Sequence, residues 1–205
     1  MRLGLITDVH EDVSRLRWAL SRLQTERPDR VLCLGDVCED GSRIEETCAA
    51  LSQARVECLW GNHDIGLCTG DPAFLRERFN LAVVDFMQAH SPSLTLEDCY
   101  FAHIEPALDP RAFEDLWLEP DGAGSEPWVR RNLEASLARL TFMGHLHRWI
   151  LAVDGARVAW EGDTYIIHPE SRALVALGAV CDGWCATFDS DTGTLRRYRQ
   201  PSEEK

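Results

Sequence analysis

The residues best suited to chemistry recur in short polar motifs, each directly after a short apolar run. Asp8 and His10 come first as Asp-x-His, then Asp36 in Gly-Asp, then Asn62, His63 and Asp64 in Gly-Asn-His-Asp. His103 stands alone after an apolar run, and His145 and His147 form Gly-His-x-His. Five of the seven histidines lie at these points. Imidazoles and carboxylates together suit manganese, iron, zinc and similar ions. Two ions close enough to share a water need a carboxylate between them, and Asp36 suits that position. An asparagine amide oxygen is a neutral ligand that leaves the ions electrophilic. Paired ions ~3.5–4 Å apart lower the pKa of a bound water and clamp both oxygens of an in-line displacement. Asp-x-His alone is a frequent accident, and Gly-Asp more so. Gly-Asn-His-Asp and Gly-His-x-His, in order and each after an expected strand, are far more specific.

The elements around these motifs set their positions. Residues 3–7 and 31–34 and 56–60 are short apolar runs, and residues 13–25 and 44–51 have helical apolar spacing. Strand, helix, strand, helix, strand implies a parallel sheet with helices on its faces. In such sheets the ligand site lies outside the carboxyl ends of the strands, where the motifs would meet. Alternate residues of Asp-x-His and His-x-His are expected on one side of an extended strand end. Residues 94–96 and 100–102 are expected to pair as a hairpin. Residues 104–125, rich in Pro, Asp, Glu and Gly, read as a long excursion, a lid or rim. Residues 128–140 read as a helix with apolar positions 129, 133, 137 and 140, and residues 141–143 as a strand. Beyond them, runs at 149–153, 158–160, 165–167, 174–177, 184–188 and 195–198 read as closely spaced strands of an antiparallel sheet. Asp182-Gly183 and Thr192-Gly193 read as hairpin turns. The two halves would form a two-sheet core with helices outside, and residues 201–205 a frayed tail.

The ordered set of motifs, from Asp8 to His147, closely resembles the calcineurin-like metallophosphoesterase superfamily, whose pattern is D-x-H, G-D, G-N-H-[DE], a lone His, then G-H-x-H. It is most similar to the small single-domain bacterial and archaeal phosphodiesterases of that group. The resemblance implies an α/β fold, a four-layer α/β/β/α sandwich of two mixed sheets with helices outside. It implies two divalent metal ions, one held by Asp8, His10, Asp36 and His147, the other by Asp36, Asn62, His103 and His145. His63 would contact the scissile phosphate and protonate or stabilise the leaving oxygen. Asp64 would accept a hydrogen bond from His63 and fix its ring. The nucleophile would be a water-derived hydroxide between the ions. Manganese is the first expectation for the metal, with iron, zinc or nickel as alternatives. The resemblance implies a phosphodiesterase acting on a small phosphorylated substrate. The alternatives are a phosphomonoesterase, a nucleotide pyrophosphatase, or the non-catalytic interaction scaffold into which some members have turned.

The chain also departs from the family pattern. The usual glycine after D-x-H is Glu11, and Asp12 behind it is expected to cap the next helix. Protein Ser/Thr phosphatases carry Asp-Arg-Gly after Gly-Asp and an arginine before Gly-Asn-His. Here these places read Glu39-Asp40-Gly41 and Trp60, which argues against protein phosphatase activity. His168-Pro169-Glu170-Ser171 stands where the small phosphodiesterases often have Asn-Pro-Gly-Ser.

Composition narrows the class. With 205 residues, 45% hydrophobic and 27% charged, the chain suits one globular domain spanning 1–205. No run approaches the ~18 apolar residues of a membrane span, and Asp8 comes too early for a signal peptide, so a cytoplasmic location is expected. The eight cysteines contain no C-x-x-C and read as reduced, mostly buried thiols. The net charge of −13, without a basic stripe, argues against nucleic acid as a partner. His90 and His168 are expected to be structural or surface residues, Glu105 and Asp109 a solvated acidic rim, and Trp60 core. The oligomeric state has no signature.

Overall fold

The computed structural model describes residues 1–201, so the expected frayed tail lies, beyond Pro201, outside the described residues. In chain order the first part holds β1 (Arg2–Ile6), α1 (Val13–Glu26), β2 (Arg30–Cys33), α2 (Ile44–Gln53), β3 (Glu57–Cys58), α3 (Ile65–Thr69), α4 (Pro72–Leu75) and α5 (Leu81–Gln88). The second holds β4 (Ser93–Leu96), β5 (Cys99–Ala102), α6 (Phe113–Leu116), α7 (Glu126–Ala135), β6 (Leu140–Met143), β7 (Ile150–Val153), β8 (Ala156–Arg157), β9 (Thr164–Ile166), β10 (Ala173–Ala176), β11 (Trp184–Asp189) and β12 (Thr194–Arg199).

They form two mixed six-stranded sheets, ordered β3-β2-β1-β11-β12-β9 and β4-β5-β6-β10-β7-β8. β1, β2 and β3 run parallel, as do β5, β6 and β10. Strand alternation sorts the side chains. Leu3 and Leu5 face the core between the sheets, while Ile6 joins the cluster under α1, α2 and α5. Across the second sheet Ala173 and Val175 face inward, and Leu174 and Ala176 face α7 with Trp128 and Val129. The result is the four-layer α/β/β/α sandwich. Phe142 links its layers, 5.2 Å from the Phe101 ring and 5.0 Å from Phe188. Burying each such ring contributes roughly 2–3 kcal/mol.

The helix that follows the first motif starts and stops for local reasons. The Asp12 carboxylate accepts from Arg15 N at 3.0 Å, and Arg27 closes α1 in a left-handed conformation at φ 52, just before Pro28.

Other expectations are corrected. The helix expected over 128–140 is α7, which ends at Ala135 because Ser136 turns extended and Leu140 is needed by β6. Leu137 is fully exposed and plays no part in the apolar stripe. The run at 158–160 stays outside the strands, because β8 forms at Ala156–Arg157, where Ala152↔Arg157 and Val153↔Ala156 pair with β7. Asp182-Gly183 ends a 3-10 turn ahead of β11 and is not a hairpin, whereas Thr192-Gly193 does lie in the β11–β12 turn. The late strands do not form one antiparallel sheet. β9, β11 and β12 complete the first sheet, and β7, β8 and β10 complete the second. Among the described residues no helix is long and apolar enough to cross a membrane. All eight cysteines are free, and seven are buried.

Candidate metal centre

The parallel strands of both sheets end at one edge, and the polar motifs follow directly. The chain there is turned, not extended as the sequence pattern implied. Asp8, His10, Asp36, His145 and His147 all have positive φ, between 46 and 67. Backbone bonds knit the first two loops: Asp8 N donates to Gly35 O (2.9 Å), and Val9 N and His10 N donate to Asp36 O (2.7 and 3.0 Å). His145 N donates to both Asp8 oxygens at 3.1 Å, joining the two sheets at the site.

Two groups of ligand atoms converge. In the first, His10 Nε2 lies 3.2 Å from His147 Nε2 and 3.7 Å from Asp36 Oδ2, and His147 Nε2 lies 3.4 Å from Asp8 Oδ1. In the second, His103 Nε2 lies 3.2 Å from Asp36 Oδ2, 3.1 Å from Asn62 Oδ1 and 3.3 Å from His145 Nδ1. Asn62 Oδ1 also lies 3.1 Å from His145 Nδ1. Each expected metal residue thus joins one group, and Asp36 joins both. The rings are held from behind. His103 Nδ1 bonds to Leu34 O (2.8 Å) and His145 Nε2 to Leu118 O (3.3 Å), which leaves the opposite nitrogens to face inward.

The electrostatics fit a cation. Burial opposes ionisation of Asp36, but the charge and hydrogen bond of His103, the His63 amide and His10 hold its carboxyl well below the usual range. Burial likewise opposes charge on His103, yet Asp36 lifts its pKa to about 9. Hydrogen bonds with Asp8 and then Cys181 raise His147 to about 10. Burial and His103 push His145 down. The protons drawn onto His103 and His147 sit where a divalent ion would displace them. The motif glycines serve the same carboxylates. A Cβ on Gly61 would overlap Asp36 Oδ1, and one on Gly144 would overlap Thr7 and crowd Asp8.

His63 stands beside the first group, its ring 4.8 Å from that of His10, and its side chain is 27% exposed. Asp64 does not hold it. The Asp64 carboxylate accepts from the backbone amides of Val37 (3.0 Å), Cys38 (2.9 Å) and Gly61 (3.0 Å), so it clamps the Gly-Asp and Gly-Asn-His loops together. Burial first, then Asp36, pushes Asp64 up to about 6. The carboxylate nearest His63 Nδ1 is Glu39, whose Oε2 lies 3.6 Å away and also bonds His10 Nδ1 at 2.5 Å. A carboxylate three residues after Asp36 was its only sequence signal. Glu11, also at positive φ, is a second buried clamp, accepting from the amides of Glu39 (2.9 Å), Gly41 (2.7 Å) and Arg43 (2.6 Å). Asp12 caps α1 as expected.

Cys181 was also missed. Its Sγ lies 3.6 Å from His147 Nδ1, and it forms a metal-competent group with His10 and His147. The turn before β11 brings it there, which spacing alone cannot show. His90 is buried, and His168 lies outside the site. Trp60, expected in the core, is half-buried and packs against the edge of two core clusters. Glu105 is no solvated rim. It is 3% exposed and accepts from Trp128, Arg131 and Asn132, tying the excursion to α7.

Solved structures share this architecture. A metallophosphoesterase from Sphaerobacter thermophilus superposes with a TM-score of 0.77 at 19% identity, over 98% of this chain and 88% of that one. A putative diadenosine tetraphosphatase gives 0.63 at 16% identity, covering 98% and 94% of the two chains. An archaeal phosphodiesterase gives 0.57 at 14%, covering 98% and 100%. These likenesses bear on the fold. No curated protein matches the chain in sequence. The family model described as the calcineurin-like phosphoesterase superfamily domain matches residues 1–183. The chain therefore belongs to the calcineurin-like phosphoesterase superfamily, a family of metal-dependent phosphoric ester hydrolases.

Proposed function

We propose that the chain hydrolyses phosphodiesters of small molecules at a centre of two divalent ions. The observation that carries this reading is Asp36, whose Oδ2 is approached from both ligand groups, by His10 Nε2 at 3.7 Å and His103 Nε2 at 3.2 Å. Asp8, His10, Asp36 and His147 hold one ion, and Asp36, Asn62, His103 and His145 hold the other. When bound, such a pair polarises the phosphoryl oxygens and acidifies the attacking water. His63 reaches the phosphate from the open side and stabilises or protonates the leaving oxygen. Glu39 orients both His63 and His10. Asp64 acts through the loops it clamps. The nitrogen and oxygen donors accept manganese, the first choice, and also iron, zinc or nickel. The chain works as one domain, and its free thiols fit a reducing cytoplasm. A net charge of −13 disfavours nucleic acid and leaves the ions as the attraction for a small anionic ester.

The test uses metal-stripped protein with Mn²⁺, Ni²⁺, Zn²⁺ or Mg²⁺ added back, on bis-p-nitrophenyl phosphate and p-nitrophenyl phosphate. Metal-dependent release is expected, faster on the diester, and lost in Asp36→Asn and His63→Ala. Metal binding without turnover of either ester overturns the reading.

A further inference from the structure

The excursion over 104–125 carries a feature that the hydrolytic centre does not use. Its α6 turn buries Leu116 completely, against Ile104 and Ile65, with Trp60 and Leu108 packed beside them. Trp60 Nε1 donates to Pro110 O at 2.8 Å, and Asp109 N donates to Asp115 Oδ2 at 2.8 Å. Leu118 O is fixed by His145 at 3.3 Å. The backbone on both sides of Trp117 is therefore anchored to the site.

The Trp117 side chain itself is left open. Its indole lies 5.3 Å from the His63 ring at an interplanar angle of 42°, and Phe113 lies 6.3 Å beyond it. Trp117 is 49% exposed, Phe113 58% and Leu118 48%. Single exposed apolar residues are ordinary, but a contiguous group at the rim of a polar site marks a binding surface. Rigid aromatic faces held beside a reacting group suit a planar ligand.

The surrounding charge narrows the ligand. Beyond the buried Glu105, which Arg131 neutralises, Asp109, Glu114, Asp115, Glu119 and Asp121 lie on this excursion against the single base Arg111. Such a rim repels a polyphosphate tail or a nucleic-acid backbone. It accepts an uncharged aromatic group attached to one phosphate.

We infer that Trp117, with Phe113 beside it, is the leaving-group platform of the site, and that the substrates are phosphodiesters whose leaving alcohol carries a planar aromatic group such as a nucleobase. This rests on the proposed phosphodiesterase reading, in which His63 stands at the leaving oxygen. Trp117 reads which diester is used, and the metal-ligand cage performs the cleavage.

The experiment compares two diesters on the manganese-loaded protein: thymidylyl-thymidine, and glycerophosphoglycerol, whose alcohols are aliphatic. Stacking of a base on an aromatic side chain makes the expected preference for the dinucleoside about ten-fold or more in kcat/KM. Trp117→Ala should collapse that ratio by about ten-fold, and Trp117→Phe should keep most of it. A ratio unchanged in Trp117→Ala overturns the inference, even where both rates fall, because that marks Trp117 as a support for His63 alone. If neither diester is hydrolysed, the phosphodiesterase reading fails separately. The platform is then read by calorimetry, titrating thymidine monophosphate and inorganic phosphate into the same two proteins. Tighter binding of the nucleotide that Trp117→Ala abolishes supports the platform, and equal affinities in the wild type overturn it.

Discussion

Replacing Asp64 by alanine separates two roles that its place in Gly-Asn-His-Asp leaves entangled. If Asp64 served His63, the substitution would slow catalysis and leave the fold alone. The structure predicts the reverse emphasis. The carboxylate is wholly buried and accepts from three backbone amides, those of Val37, Cys38 and Gly61. Hydrogen bonds to a charged group contribute ~1.5–3 kcal/mol each, so their loss costs roughly 5–9 kcal/mol in all. Against this, burial and the Asp36 charge oppose the ionised form and, even with the three amides in place, leave the Asp64 pKa raised to about 6, so part of that gain is cancelled at neutral pH. The net loss is on the order of a few kcal/mol, a large part of the stability of an ordinary domain. For a chain of this length that lowers the melting temperature by on the order of 10 °C. Because the folded-state pKa lies above the unfolded value, the stabilising share grows as pH falls through 6 and is lost as it rises. The gap between wild type and variant should therefore widen from pH 7 to pH 5. Circular dichroism melts of both proteins in chelator read this directly, with no bound ion to mask it. A variant melting within about 2 °C of wild type at both pH values refutes the clamp.

Two further predictions concern other carboxylate and histidine positions. Glu39→Gln keeps the size of the side chain but removes the charge facing His10 and His63, so kcat should fall roughly 10–100-fold, with little change in melting temperature. Full activity in that variant on bis-p-nitrophenyl phosphate would deny Glu39 its orienting role. His90 is buried, and burial pushes its pKa down to about 4, so the unfolded chain takes up a proton that the folded one refuses. Stability is then lost as pH falls from about 6.5 to 4, by up to ~3 kcal/mol. Urea midpoints measured across that range should fall less steeply in His90→Leu, and parallel curves would contradict the account.

What could be read from the chain follows from how local each signal is. The α1 stripe, its Asp12 cap and the strand-ending motifs are each contained within a few residues, and they stand where the sequence places them. Pairing partners are not local. Nothing between residues 165 and 198 shows that β9, β11 and β12 belong to the sheet of β1 while β10 belongs beside β6. The apolar stripe through Leu137 and Leu140 fits a helix until the neighbouring β5 and β10 claim Leu140 for a strand. Buried carboxylates misled for a similar reason. Glu11, Asp64 and Glu105 look like site or surface charges in sequence, and their partners are amides and side chains brought in from other motifs.

The backbone at the centre explains why such clamps are needed. Five of the seven candidate metal ligands sit at positive φ, as does Glu11, where the family usually has glycine. Aspartate and histidine are among the few non-glycine residues that tolerate this region, so the ligand types also suit the turns. The tolerance is partial. At roughly 1 kcal/mol or more each, five such residues carry about 5 kcal/mol of strain, comparable to a domain's net stability. These turns aim alternate side chains at one point, which an extended strand end could not do for Asp8, His10, Asp36, His145 and His147 together. Something must hold the loops in place before an ion arrives. Asp64 fixes the amides of residues 37, 38 and 61, Glu11 fixes those of 39, 41 and 43, and Asp8 fixes that of 145. The buried acids beside the centre are thus the counterweight to its strained backbone, and the cage is organised by the chain itself.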